Sequence, residues 1–319
     1  MRLATSTGDL LHYTSSPAEA VRAFEGTGFR HLDYSFYNAA RTGLPFMDEK
    51  DWMREVAAAA LEAERLGFDF VQAHSPGNNF LVTDGAGKAD DYEFTVKANI
   101  RSIEACGYLG VKNLVVHSGI SGELLYPQDR ERYFEINRDF YRRLYSAMEK
   151  HGVHVLIENS ARANMGDRYF FMTGREMVDF VEYCDHPLMG ACWDVGHANM
   201  QNPAQYGDIV DLGGMLKAIH FQDNMGRSDD HLAPFMGTLD VDSVMQGLID
   251  SGYVKRGGVL TFESDNILTR AGGWPNYRNE KSPRGRCAYE PSLQLKRAAI
   301  GLLYNIGCDI LKAYNIDID

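Results

Sequence analysis

Four side chains able to ligate a metal or move a proton, Glu158, Asp194, His220 and Glu263, each stand where a short apolar run stops. The runs, VHVLIE, MGACWD, LKAIH and VLTFE, follow one another along the second half of the chain. Their β-branched and aliphatic bodies suit strands buried on both faces. In a parallel barrel or sheet the strand ends that face the following loops converge, so side chains distant in sequence can meet around one ion. Three carboxylates and one imidazole are hard or borderline donors, which fits Mn²⁺, Mg²⁺, Co²⁺ or Zn²⁺ and not a thiolate metal. One such residue alone reads as a polar strand end meeting solvent; four in succession point to a metal site.

Short apolar runs alternate with longer amphipathic ones from end to end, the signal for repeated βα units. Strands are expected at 2–6, 29–36, 68–74 and 113–117, ahead of the four runs above. Helices are expected at 17–26, 51–65, 92–109, 130–150, 174–183, 203–212, 241–251 and 292–311. Local chemistry supports the ends: Ser15 and Ser16 before Pro17 start the first helix, Gly67 stops the second, and Asp240 caps the one after MGTLD. Two loops are long for βα connections, 75–91 and 264–291. The second carries Arg270, Trp274, Tyr277, Arg278, Arg284 and Arg286, of which Trp274 is a candidate substrate contact. No linker or composition break divides the chain, so a single domain over 1–319 is expected. The fold class that follows is α/β: one (β/α)₈ barrel of parallel strands with an extended loop after strand eight and its active site at the carboxyl-terminal rim.

Composition narrows the function. At 319 residues with 45% apolar and 24% charged content, the chain reads as a globular enzyme, and no apolar stretch is long enough to span a bilayer. The amino terminus lacks the pattern of a secretory signal, so a cytoplasmic location is expected. Five cysteines, Cys106, Cys184, Cys192, Cys287 and Cys308, form no CxxC pair and indicate neither a disulfide framework nor a thiolate zinc site. Cys192, two residues before Asp194, has the parity to face the barrel interior as a small buried thiol, and Trp193 has the opposite parity. A net charge of −12 disfavours a phosphate-backbone partner, so no nucleic acid is expected. Tyr34, Phe36, Tyr37, Phe46, Trp52 and Phe80 crowd the rim segments and read as an aromatic wall for a small sugar or glycoside.

The sequence IEN, WDVGH, HFQDN, DDH followed by MGTLD, and FES, spread over nearly the whole chain, resembles the sugar isomerase and epimerase branch of the xylose-isomerase-like TIM barrels. That superfamily also includes endonuclease IV. The resemblance implies that Glu158, Asp194, His220 and Glu263 bind one divalent ion, often Mn²⁺, and that His197 contacts substrate oxygens. His74 and His117 match histidines after the third and fourth strands and are taken as substrate-side candidates. It also implies that Glu158 and Glu263 exchange a proton with the carbon beside a ketose carbonyl through a cis-enediolate, one glutamate on each face. Arg227 is the candidate for an arginine expected in the seventh strand's loop, although its offset from His220 departs from the ketose 3-epimerase pattern.

The expected function is therefore a metal-dependent epimerase or isomerase acting on a small-molecule sugar, with the last helix and long eighth loop suited to a homo-oligomer contact. A metal-dependent lyase or dehydratase acting on sugar derivatives or glycosides would use the same groups and is the alternative. Asp229 and His231, with His74 and His117, also resemble the residues that help hold a three-ion zinc cluster in endonuclease IV. Phosphodiester cleavage is ranked third, and Asp229 and His231 are kept as additional metal ligands or supporting groups.

Overall fold

Strands that are apolar on both faces need helices outside and packed side chains inside, and a closed parallel barrel supplies both. The computed structural model describes residues 1–41, 43–81, 92–264, 267–268 and 291–319. The strands β1 (Arg2–Ser6), β2 (His31–Ser35), β3 (Asp69–His74), β4 (Asn113–Val115), β5 (His154–Glu158), β6 (Met189–Asp194), β7 (Leu216–Phe221) and β8 (Val259–Phe262) close in sequence order. Every neighbouring pair, including β1 with β8, is parallel.

The helices are α1 (Pro17–Ala23), α2 (Arg54–Leu66), α3 (Tyr92–Leu109), α4 (Arg130–Arg142), α5 (Tyr145–His151), α6 (Arg162–Met165), α7 (Gly174–Cys184), α8 (Val195–Asn199), α9 (Tyr206–Leu212), α10 (Val241–Asp250) and α11 (Leu293–Ala313). Ser16 and Asp240 cap α1 and α10 by accepting the amides of Glu19 and Ser243. Gly67 and Gly152 end α2 and α5 in the left-handed conformation. The helix expected over 130–150 is instead two. Arg143 N–H and Leu144 N–H each bond three residues back, to Phe140 and Tyr141, and this tightened turn re-aims the chain without any Pro or Gly to announce it.

Side-chain parity sorts the strand residues. Val115, Leu156, Cys192 and Ala218 form their own buried cluster, filling the β4 to β7 side of the interior below the strand ends. Burial pushes the Cys192 thiol up to about 12, so it is an inert filler as its parity suggested. Trp193, facing outward, is fully buried and donates Nε1–H to Gln205 Oε1 at 2.9 Å. On the other side the interior is polar: Thr261 bonds Gln72 at 3.3 Å and Ser6 bonds Asp33 at 3.0 Å.

The aromatic wall requires correction. Tyr34, Phe36, Phe46 and Phe80 are buried core residues and Trp52 packs against them, with Phe80 stacked on Phe140 at 3.8 Å between centroids. These rings bury apolar area between strands and helices, so of the six only Tyr37 is exposed. Among the described residues Cys106, Cys184, Cys192 and Cys308 are free; Cys287 lies outside them. No helix among the described residues is long and apolar enough to cross a membrane.

One glycine locks the last helix onto the barrel. Gly28 has φ +101°, and a Cβ there would lie 2.3 Å from Cδ1 of Tyr304 on α11. Gly28→Ala is expected to destabilise the fold by about 2–4 kcal/mol, from backbone strain plus overpacking. Urea unfolding would show a lower midpoint at unchanged m-value.

Candidate metal centre

The four strand-end residues meet, and Glu158 is at their middle. Asp194 and His220 are register partners across β6 and β7, while Glu158 ends β5 and Glu263 directly follows β8. His220 Nδ1 lies 2.9 Å from Glu158 Oε1 and 3.3 Å from Glu263 Oε2. One ligand atom from each of Glu158, Asp194, His220 and Glu263 falls within 4.8 Å of the others. Donors at about 2.1 Å from a common ion stand roughly 3.0–3.4 Å apart along octahedral or tetrahedral edges. The observed spacings fit such a cage.

Asp194 shows how the chain presents a ligand oxygen. It caps α8, its Oδ1 accepting His197 N–H at 2.7 Å and Gln222 Nε2–H at 3.3 Å. Its Oδ2 is buried with no hydrogen-bond partner. A buried orphan carboxylate oxygen is costly unless a cation completes it, and here it is aimed at the cluster. Asn159 fixes the same strand end, accepting Asp194 N–H at 2.7 Å and donating to Asp194 O at 2.9 Å. Gly196 is required because a Cβ there would lie 2.1 Å from Gln222 Cδ.

A second group shares Glu158. His117 Nε2 is 2.9 Å and His74 Nε2 3.7 Å from Glu158 Oε2, and the two nitrogens are 3.1 Å apart. A third set lies beside it. His197 Nε2 is 3.0 Å from Asp229 Oδ2, and His231 Nε2 is 3.3 Å from Asp229 Oδ1. The loop after β7 brings Asp229 and His231 there by folding back, with Asp223 and Leu232 exchanging main-chain bonds of 2.9 and 2.8 Å. Asp223 holds the return, its carboxylate accepting the amides of Asn224, Gly237 and Leu239.

The tautomers of these histidines follow from the main chain. Nδ1–H of His197 donates to Asn159 O at 2.9 Å, that of His231 to Glu263 O at 2.8 Å, and that of His74 to Ser75 O at 2.8 Å. In a neutral ring the opposite nitrogen is then a lone pair. For His197 and His231 that lone pair faces a carboxylate, which is repulsive unless a proton or a metal cation lies between. Donating Nδ1–H to a carbonyl is also the orientation that leaves Nε2 as a ligand.

The ion-free electrostatics follow the same logic. Burial opposes charging of His220 and His197, yet the surrounding acidic groups outweigh it and hold both well above the usual imidazole range. Against its own burial Glu158 is held well below the carboxylate range, chiefly by His220 and His117. Asp229 is likewise held low, by His197 and His231. Burial raises Asp194 and lifts Glu263 to about 7. Protons stand where cations would bind, and metal binding would release them.

Arg227 is exposed on the β7 loop, and Trp274 lies outside the described residues. The roles of Asn159, Gln222 and Asn164 went unassigned in the sequence. Gln222 Nε2–H donates to Asp229 at 2.8 Å and Asn164 Nδ2–H at 3.0 Å. Asn159 directly follows Glu158 in IEN and Gln222 stands two residues after His220 in HFQ, so their adjacency was the available signal; Asn164, on the short α6, offered none.

A closed (β/α)₈ barrel with a carboxylate and imidazole cage at its carboxyl-terminal rim defines the class. Residues 21–279 match the model of the xylose isomerase-like TIM barrel family, and the chain belongs to that family. It is 30% identical to the uncharacterised protein y4fM of Sinorhizobium fredii over 156 residues, 47% of each chain. The chain spans about half the length of the curated relatives it matches. Among solved structures, D-psicose 3-epimerase with D-tagatose from Clostridium cellulolyticum H10 superposes with TM-score 0.70 at 18% identity, over 98% of this chain and 99% of that one. AP endonuclease, family 2, from Brucella melitensis gives TM-score 0.59 at 18% identity, over 83% and 93%. At such identities the structural likeness establishes the fold alone.

Proposed function

We propose that the chain is a divalent-metal-dependent epimerase or isomerase of a ketose or related sugar, working by proton transfer through an enediolate. The observation that carries this reading is the placement of Glu158 and Glu263 on the same imidazole nitrogen of His220, at 2.9 and 3.3 Å. An ion held by Glu158, Asp194, His220 and Glu263, Mn²⁺ first and Mg²⁺, Co²⁺ or Zn²⁺ after it, would polarise a carbonyl and its neighbouring hydroxyl and offset enediolate charge.

The two glutamates divide the proton work. Glu263 has 22% side-chain exposure against 3% for Glu158, so it meets substrate more openly. Burial lifts it to about 7 in the ion-free protein, and a bound cation would lower it toward the ionised base that proton abstraction needs. Glu158, ionised and held from below by imidazoles, serves the opposite face. His197, His74 and His117 would orient substrate hydroxyls, with Arg227 and Trp274 as further contacts from the loops.

The test is incubation with D-fructose, D-tagatose and D-psicose in D₂O with Mn²⁺. Deuterium is expected to wash in at the carbon beside the carbonyl while the carbon skeleton and hydroxyl count stay intact. Loss of water or of a substituent would transfer the reading to the lyase or dehydratase class. Absence of wash-in across the panel would sink enolisation altogether.

A second reading rests on a specific observation, the two further ligand sets that adjoin the first. Glu158 joins His74 and His117 in a group whose donor atoms also lie within 4.8 Å of one another, and Asp229 joins His197 and His231. Three ions in that space would suit phosphodiester hydrolysis by multi-metal chemistry. Three zinc ions per chain together with nicking of an abasic duplex would favour this reading over epimerisation.

A further inference from the structure

We propose that Tyr37, in the loop after β2, is a substrate-contacting residue that sets sugar affinity at the mouth of the centre; this rests on the sugar reading above. Tyr37 is the one member of the rim aromatics left open, with 49% of its surface exposed. Its ring stands edge to face with His74, at 5.6 Å, and His117, at 6.4 Å. These are the two imidazoles closest to the outer oxygen of Glu158.

The seat for the ring is built into the chain. Gly77 leaves room where a Cβ would lie 2.6 Å from Tyr37 Cε2, and Gly77 N–H bonds Tyr37 O at 3.0 Å. Tyr37 N–H bonds Ser35 Oγ at 3.4 Å. Backbone and ring are thus fixed from β2 and from the segment after β3, while about half of the residue stays open to solvent.

The ring lies beside the imidazoles of both His74 and His117. Among the described residues the hydroxyl makes no hydrogen bond. A half-exposed aromatic side chain that keeps a free hydroxyl beside two imidazoles matches a sugar, whose C–H face packs on a ring while its hydroxyls bond.

Tyr37→Phe and Tyr37→Ala separate the two contributions. With Mn²⁺ content and melting temperature measured alongside, Tyr37→Ala is expected to raise KM for an accepted ketose roughly tenfold, with a smaller change in kcat. Tyr37→Phe is expected to raise it about two- to fivefold, the loss of one hydrogen bond. Saturation-transfer NMR with D-fructose, D-tagatose, D-psicose and methyl β-D-glucoside reads binding without turnover, using the Mg²⁺-loaded protein. Binding by the wild type that Tyr37→Ala retains within twofold overturns this proposal alone. So does a fall in kcat at unchanged KM, or a loss of bound metal in the variant, since either makes Tyr37 a support for the histidines. A wild type that binds no sugar of the panel overturns both the sugar reading and this proposal.

Discussion

Glu158→Gln is expected to lower turnover by about 10³-fold, within the range of a lost carboxylate base, and to empty the centre of its ion. Glu158 accepts from His117 and His220, both at 2.9 Å, with His74 and His197 at 3.7 Å. A carboxylate meets four imidazoles with acceptor oxygens on both sides. An amide offers one acceptor and turns an NH₂ toward an imidazole donor on the other, leaving that contact repulsive. Because Glu158 belongs to both groups that could hold an ion, its replacement should release more metal than Asp194→Asn. Glu263→Gln, at the open side of the cage, should abolish exchange while keeping more of the ion. Metal content by mass spectrometry and deuterium wash-in rates read the two effects separately. A Glu158→Gln protein exchanging within tenfold of wild type would sink the two-base mechanism.

Chelation is expected to remove stability most strongly at neutral and alkaline pH. In the ion-free protein Glu263 has a pKa near 7 against 4.5 for the free group. Between those values the folded state keeps a proton that the unfolded chain has lost, so stability falls as pH rises through that window. His197 and His220 are raised well above 6.5. Their contribution is complete below 6.5 and is lost as pH climbs through their folded pKa values. Glu158 and Asp229 act oppositely, held well below the ordinary carboxylate values, so their contribution is lost on acidification. Chelated protein should therefore melt highest at mildly acidic pH. A saturating divalent ion, at 100 to 1,000 times its Kd, adds about 3–4 kcal/mol, or about 4–6 °C for a chain of this size. The gain should be larger at pH 8 than at pH 5, because at pH 5 the ion must displace bound protons. An equal gain at both, read by differential scanning fluorimetry, would contradict this charge assignment.

The convergence of Glu158, Asp194, His220 and Glu263 was legible because burial on both faces leaves long apolar runs, and a polar residue at the end of such a run has few structural reasons to be there. The order β1 to β8 followed from the same alternation. The rim aromatics were misread because composition near a loop says nothing about parity: Tyr34 ends facing Phe36 and Phe70 in the core, at 4.6 and 5.3 Å. The break between α4 and α5 was invisible, since no residue there disfavours a helix. Asp229 and His231 were visible as residue types, but their convergence depends on a chain reversal in which His231 takes φ +49°. Propensity does not predict that conformation for a histidine; the bonds to Glu263 and Asp229 impose it.

The carbonyls of Ser75, Asn159 and Glu263 orient His74, His197 and His231, and a carbonyl is the same in every amino acid. Side chains around the mouth can therefore be exchanged without turning these imidazoles. If the chain is the metal-dependent sugar enzyme proposed above, ion affinity and substrate choice become separable traits, and the rim could be redesigned, beginning at Tyr37 and the β7 loop, with the cage left standing.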